Sequence, residues 1–120
     1  MNAEELMRLD WVCLENDPTP RQVDWIRSGE VGLFWNKIVT PPYIKPIPLT
    51  PEILEKNEFE YINDEYGCWL LGKIELRERE PYNGLFEVEI NIGEETIYIH
   101  YLHELQHVLK LCGSQKEIVL

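Results

Sequence analysis

Phe86-Glu87-Val88-Glu89-Ile90-Asn91-Ile92, then Gly93-Glu94-Glu95, then Thr96-Ile97-Tyr98-Ile99, then His100 to Gly113: this stretch decides the fold. Its first seven residues alternate apolar and polar, the period of a strand with one buried face. Gly93-Glu94-Glu95 is a turn that brings Thr96–Ile99 back as a second strand. From about His100 to Cys112 the period changes to that of a helix, and Gly113 stands where a helix ends. A hairpin followed by an amphipathic helix places the chain in the α+β class.

Working towards the N-terminus, residues 68–79 read as one long strand, with Leu70, Gly72, Ile74 and Leu76 on one face and Lys73, Glu75, Arg77 and Arg79 in solvent. Pro81-Tyr82-Asn83-Gly84 is a turn. Thr50-Pro51-Glu52 starts a short helix that ends near Asn57, with Thr as cap, Pro in the first turn and an acid beside it. Ile53 and Leu54 face the core. Residues 40–51 carry Pro41, Pro42, Pro46, Pro48 and Pro51 and must be extended. They connect this part to an N-terminal meander at about 9–39, with strands at Trp11–Leu14, Gln22–Arg27 and Val31–Trp35. Turns are expected at 16–20 and 28–30, a short helical turn at 2–9, and an edge strand at 117–120. The expectation is a single domain over 1–120: a small antiparallel sheet or barrel-like meander, a short central helix and a C-terminal amphipathic helix.

Composition narrows the function. Twenty-two acids against eleven bases give a net charge of −11, a surface that repels phosphate backbones and anionic membranes. The bases are scattered and form no block. The expected partner is therefore a protein, with no nucleic acid and no membrane. Cys13, Cys68 and Cys112 are too far apart in sequence for a zinc or redox pair and read as reduced thiols of a cytoplasmic protein. Residues 1–10 lack a basic start and apolar stretch. No cofactor is expected.

One motif carries chemistry. His103-Glu104-Leu105-Gln106-His107 matches H-E-x-x-H, in which two His one turn apart hold zinc and the Glu acts as base. The helical wheel gathers Tyr101, Leu102, Leu105, Val108, Leu109 and Cys112 on one arc. His100, His103, Gln106, His107 and Lys110 lie opposite, so the His face is expected in water. No third ligand follows His107 except Glu117, and His100 adds only a second exposed turn. The acid pair Glu87/Glu89 reads as a solvent face, and Trp11, Trp25, Trp35 and Trp69 read as core.

Two segments carry a resemblance: Ile44-Lys45-Pro46-Ile47-Pro48-Leu49-Thr50-Pro51-Glu52-Ile53-Leu54, and Tyr101-Leu102-His103-Glu104-Leu105-Gln106-His107 with Leu111-Cys112-Gly113. Together with the meander, they resemble small uncharacterised proteins of Bacteroidales bacteria and their phages or mobile elements. The resemblance implies no activity. It implies a C-terminal helix of the form Y-x-H-x-L-Q-N, from which Glu104 and His107 depart, and a Gly-Asn where this chain has Leu9-Asp10. The leading expectation is a non-catalytic intracellular interaction or accessory domain. Behind it stand a zinc-dependent hydrolase using His103, His107 and Glu104, and an acidic nucleic-acid mimic that inhibits a DNA-binding protein.

Overall fold

The computed structural model describes residues 5–27, 30–34, 37–39, 43–63 and 67–120. It is α+β, with two antiparallel sheets and two helices. The chain divides into two compact units, Met1–Ile47 and Pro48–Leu120. The division falls inside the proline-rich segment.

The first unit holds β1 (Trp11–Leu14), β2 (Asp17–Arg27), β3 (Glu30–Leu33), β4 (Lys37–Val39) and β5 (Ile44–Pro46), in the order β4-β3-β2-β1-β5. Its core is Leu6, Val12, Leu14, Val23, Val31, Leu33 and Ile44. Residues 16–20 are not the broad turn their Asn, Asp and two Pro suggest. Leu14 pairs directly with Asp17, so the reversal uses only Glu15 and Asn16. Pro18 and Pro20 are tolerated because β3 pairs with β2 only from Val23 onward, which leaves that flank of the strand open. The backbone N–H of Thr19, with Arg21 further off, holds the Asp17 carboxyl below its usual range. Of the short helical turn expected over 2–9, Glu5 has 3-10 helical backbone, and residues 6–9 leave it for a turn. There Leu9 adopts φ 73°, and the buried Asp10 carboxylate accepts the Met7 N–H at 2.8 Å. Leu9 thus holds the left-handed conformation that glycine adopts more readily than leucine. The expected turn residues Ser28 and Gly29, Trp35 at the end of the expected third strand, and residues 1–4 lie outside the described residues.

In β2 and β3, Trp25 stands opposite Gly32. A Cβ on Gly32 would fall inside the indole ring of Trp25, so glycine here is a site for the ring to lie on. The Arg27 guanidinium sits 5.0 Å from the centre of the same ring.

The second unit holds α1 (Pro51–Lys56), β6 (Glu60–Ile62), β7 (Cys68–Leu71), β8 (Ile74–Glu78), β9 (Val88–Ile92), β10 (Glu95–Ile99) and α2 (Leu102–Leu111). Its sheet is a plain meander, β10-β9-β8-β7-β6. Thr50 caps α1 as expected, its hydroxyl accepting the Ile53 N–H at 3.3 Å. The long strand expected over 68–79 is a hairpin. Leu71 pairs with Ile74 across Gly72-Lys73, and Gly72 takes φ 58°, the conformation that a first-position glycine supplies to a two-residue hairpin loop. Gly93-Glu94 does the same between β9 and β10. The expected 81–84 turn closes through Tyr82 and Leu85.

α2 packs beside β10. It ends in a Schellman motif: Ser114 N–H donates to the Leu109 carbonyl and Gly113 N–H to that of Lys110, with Gly113 at φ 75°. Residues 117–120 form no strand. Instead the buried Asn57 side chain clamps the tail, donating to the Val119 carbonyl at 2.9 Å and accepting the Val119 N–H at 2.8 Å. Asn57 also donates to the Ile53 carbonyl at 2.8 Å, so the C-terminal turn of α1 and the chain terminus share one amide. Among the described residues no helix is long and apolar enough to cross a membrane.

Candidate functional site

The H-E-x-x-H segment occupies the first turns of α2, and its position changes its meaning. Glu104 is the third residue of that helix. Its Oε1 accepts the backbone N–H groups of Tyr101, at 2.9 Å, and His100, at 3.0 Å. This is the carboxylate half of a capping box: it satisfies N–H groups at the helix start that have no intrahelical acceptor. A general base must face the reacting water instead. The two His rings lie 5.6 Å apart, nearly perpendicular. Among the described residues no three His, Cys, Asp or Glu side chains converge as a metal site.

His103 corrects the helical-wheel reading. It was expected in water and is 6% exposed, while His107 is half-buried. Tyr101, at the N-cap, lays its ring nearly parallel to His103 at 6.2 Å, shielding a side of α2 that the wheel leaves open. Cys112, assigned to the apolar arc, is exposed. His100 points away from His103 in function: its Nε2 meets the Glu87 carboxylate at 2.6 Å. Glu87 is therefore no solvent-face charge. It is buried, and Arg79 lies 3.8 Å from its other oxygen and 3.5 Å from Glu89. This trio ties β10, β9 and the strand-end of β8 together.

Glu104→Ala is expected to cost about 0.5–2 kcal/mol of stability, the usual worth of a helix cap, whereas Glu104→Gln retains most of it because an amide oxygen can accept the same bonds. Thermal unfolding of the two variants checks this. Equal losses would show that the carboxylate charge, not the cap, is what matters.

A different place has the character of a binding site. Pro51 and Glu55 of α1, Phe59, Glu60 and Tyr61 at the start of β6, Trp69 of β7 and Glu78 of β8 line a groove of about 710 Å³. Tyr61 and Trp69 are register partners, their rings 4.8 Å apart and tilted. Phe59 and Trp69 are buried and form the floor, while Tyr61 is 46% exposed at the rim. The Tyr61 ring also leans over Gly67, where a Cβ would come within 2.9 Å of its hydroxyl. Trp69 Nε1–H donates to Glu78 Oε1 at 2.8 Å, which leaves the other oxygen of Glu78 available.

The groove gathers its acids in one place. Elsewhere some acids are matched, Asp17 with Arg21, Asp24 with Arg8, Glu58 with Lys116, Glu75 with Arg77, Glu87 and Glu89 with Arg79, while others such as Glu15, Glu52, Glu94 and Glu95 have no cation within 4.0 Å among the described residues but line no shared aromatic cavity. Among the described residues Glu55, Glu60 and Glu78 have no such cation within 4.0 Å. Three unmatched carboxylates around an accessible aromatic ring favour a positively charged group, which gains both ion pairing and cation–π attraction there.

None of these groove residues was singled out from the sequence as a site, and Trp69 was assigned to the core, where it does lie. No family model matches the chain, and neither a curated protein nor a solved structure matches it.

Proposed function

We propose that this chain is a non-catalytic interaction module that binds a lysine- or arginine-bearing segment of a partner protein in the acidic aromatic groove of its second unit. The observation that carries the proposal is the set of unmatched carboxylates, Glu55, Glu60 and Glu78, around the exposed Tyr61 ring and the buried Trp69. The net charge of −11 adds long-range attraction for a basic partner. The zinc-hydrolase reading ranks below it, since Glu104 spends its Oε1 on two backbone N–H groups. The setting we propose is cytoplasmic and of mobile-element origin, in keeping with the resemblance of the proline-rich and C-terminal segments.

Calorimetric titration with an acetylated, amidated octapeptide of alternating lysine and valine tests the reading. Binding is expected, with an alternating glutamate–valine peptide showing none. Tyr61→Ala should weaken binding by about tenfold, within the range of a desolvated cation–π contact. Glu60→Lys should weaken it by at least as much and flatten its salt dependence. Binding unchanged in both variants would remove the groove from consideration.

A further inference from the structure

We infer that the partner segment binds as an added strand along the open edge of β6, with one of its cationic side chains laid over Tyr61 towards Glu78; this rests on the reading of the groove as a site for basic segments. Four observations carry it. Among the described residues β6 is the terminal strand of its sheet, paired on one side, to β7. In an antiparallel ladder alternate residues turn both N–H and C=O away from the partner strand, so the three residues of β6 leave at least one such pair facing outward. All three, Glu60, Tyr61 and Ile62, are exposed, and Ile62 is 44% exposed although apolar. Finally, the groove begins at this same edge, since Phe59, Glu60 and Tyr61 are among its lining residues.

The other edge of the sheet lacks this combination. At β10 the exposed aromatic, Tyr98, already has the Arg79 guanidinium 5.8 Å from its ring centre, and Arg79 is shared with Glu87 and Glu89. At β6, among the described residues, no cation lies over Tyr61. A second copy of the chain is a poor occupant, because pairing β6 with itself would bring Glu60 of each copy to the same short edge without a compensating base. A basic extended segment supplies what is absent on both counts: backbone groups for the edge, and a cation for the acids. Strand addition of this kind draws affinity from main-chain hydrogen bonds and specificity from alternate side chains. With a period of two, every lysine of an alternating peptide faces the groove while every valine faces away.

The same periodicity provides the test. Two twins of the lysine–valine octapeptide are made, one N-methylated at its lysine nitrogens and the other at its valine nitrogens. In an added strand only one of these sets points at β6. One twin should therefore lose about tenfold or more in affinity, and the other should stay within about threefold of the unmethylated peptide. Amide exchange at Glu60–Ile62 should slow on adding the unmethylated peptide, with Glu95–Ile99 unaffected. Equal affinity of the two twins, whether high or low, overturns strand addition. If the unmethylated peptide still binds in a Tyr61-dependent way, the groove reading survives that failure. If the unmethylated peptide does not bind at all, both inferences fall.

Discussion

Asn57→Ala should lower the unfolding free energy by about 2–3 kcal/mol. The Asn57 side chain makes three hydrogen bonds, to Ile53 O and to both backbone groups of Val119, and is 1% exposed. Each such bond contributes roughly 0.5–1.5 kcal/mol net. The Ile53 carbonyl also accepts the Asn57 backbone N–H, and the Val119 side chain is exposed, so its freed amide can reach water. These two facts keep the estimate below the cost of a wholly orphaned buried group. Asn57→Asp should not rescue. A carboxylate can accept the Val119 N–H but offers no hydrogen to Ile53 or Val119, and its charge is buried. The loss should be local first: amide exchange at Val119 and Ile118 should rise before α2 or the sheet responds. A loss under about 0.5 kcal/mol, or unchanged exchange at Val119, would show that the tail is held by Ile118 burial alone.

Gly32→Val should cost about 1–3 kcal/mol, the usual range for forcing extra atoms into a packed site. No side chain fits while the Trp25 indole lies on that backbone, and swinging the ring out gives up its contact with Arg27. A double-mutant cycle isolates the cause. In a Trp25→Ala background the same change should cost little or even stabilise, since valine then fills a strand position that suits it. An equal cost in both backgrounds would assign the effect to something other than the ring.

Most of the fold was legible in the sequence, and the departures have physical causes. The alternation, as a strand from Val88 to Ile92, the Thr50-Pro51-Glu52 cap and Gly113 each made the element expected of them, because in each a single local signal agrees with tertiary burial. Gly72-Lys73 was read through, since Leu70, Gly72, Ile74 and Leu76 also satisfy a period of two. That reading concealed the groove. In one extended strand Trp69 and Glu78 would stand about 30 Å apart, whereas the hairpin joins them by a 2.8 Å hydrogen bond. The acids of the groove were likewise invisible: what distinguishes Glu55, Glu60 and Glu78 is that the fold gathers them around Tyr61 and Trp69, which is a property of three-dimensional placement. Glu87 failed in the opposite sense. Its place in an alternating run suggested water, but the run begins as a strand only at Val88, and the residue before it is free to turn inward to His100.

The placement of Glu104 supplies a filter for motif searches. A glutamate in the second position of H-E-x-x-H lies three residues past the residue that starts a helix only when that helix begins immediately before the motif. There the dangling amides compete for the carboxylate before any water can. Moving the same five letters one full turn deeper into a helix would remove those competitors and leave the carboxylate free. Scoring a match by its distance from the helix start, as well as by its letters, would therefore separate caps from bases at no experimental cost.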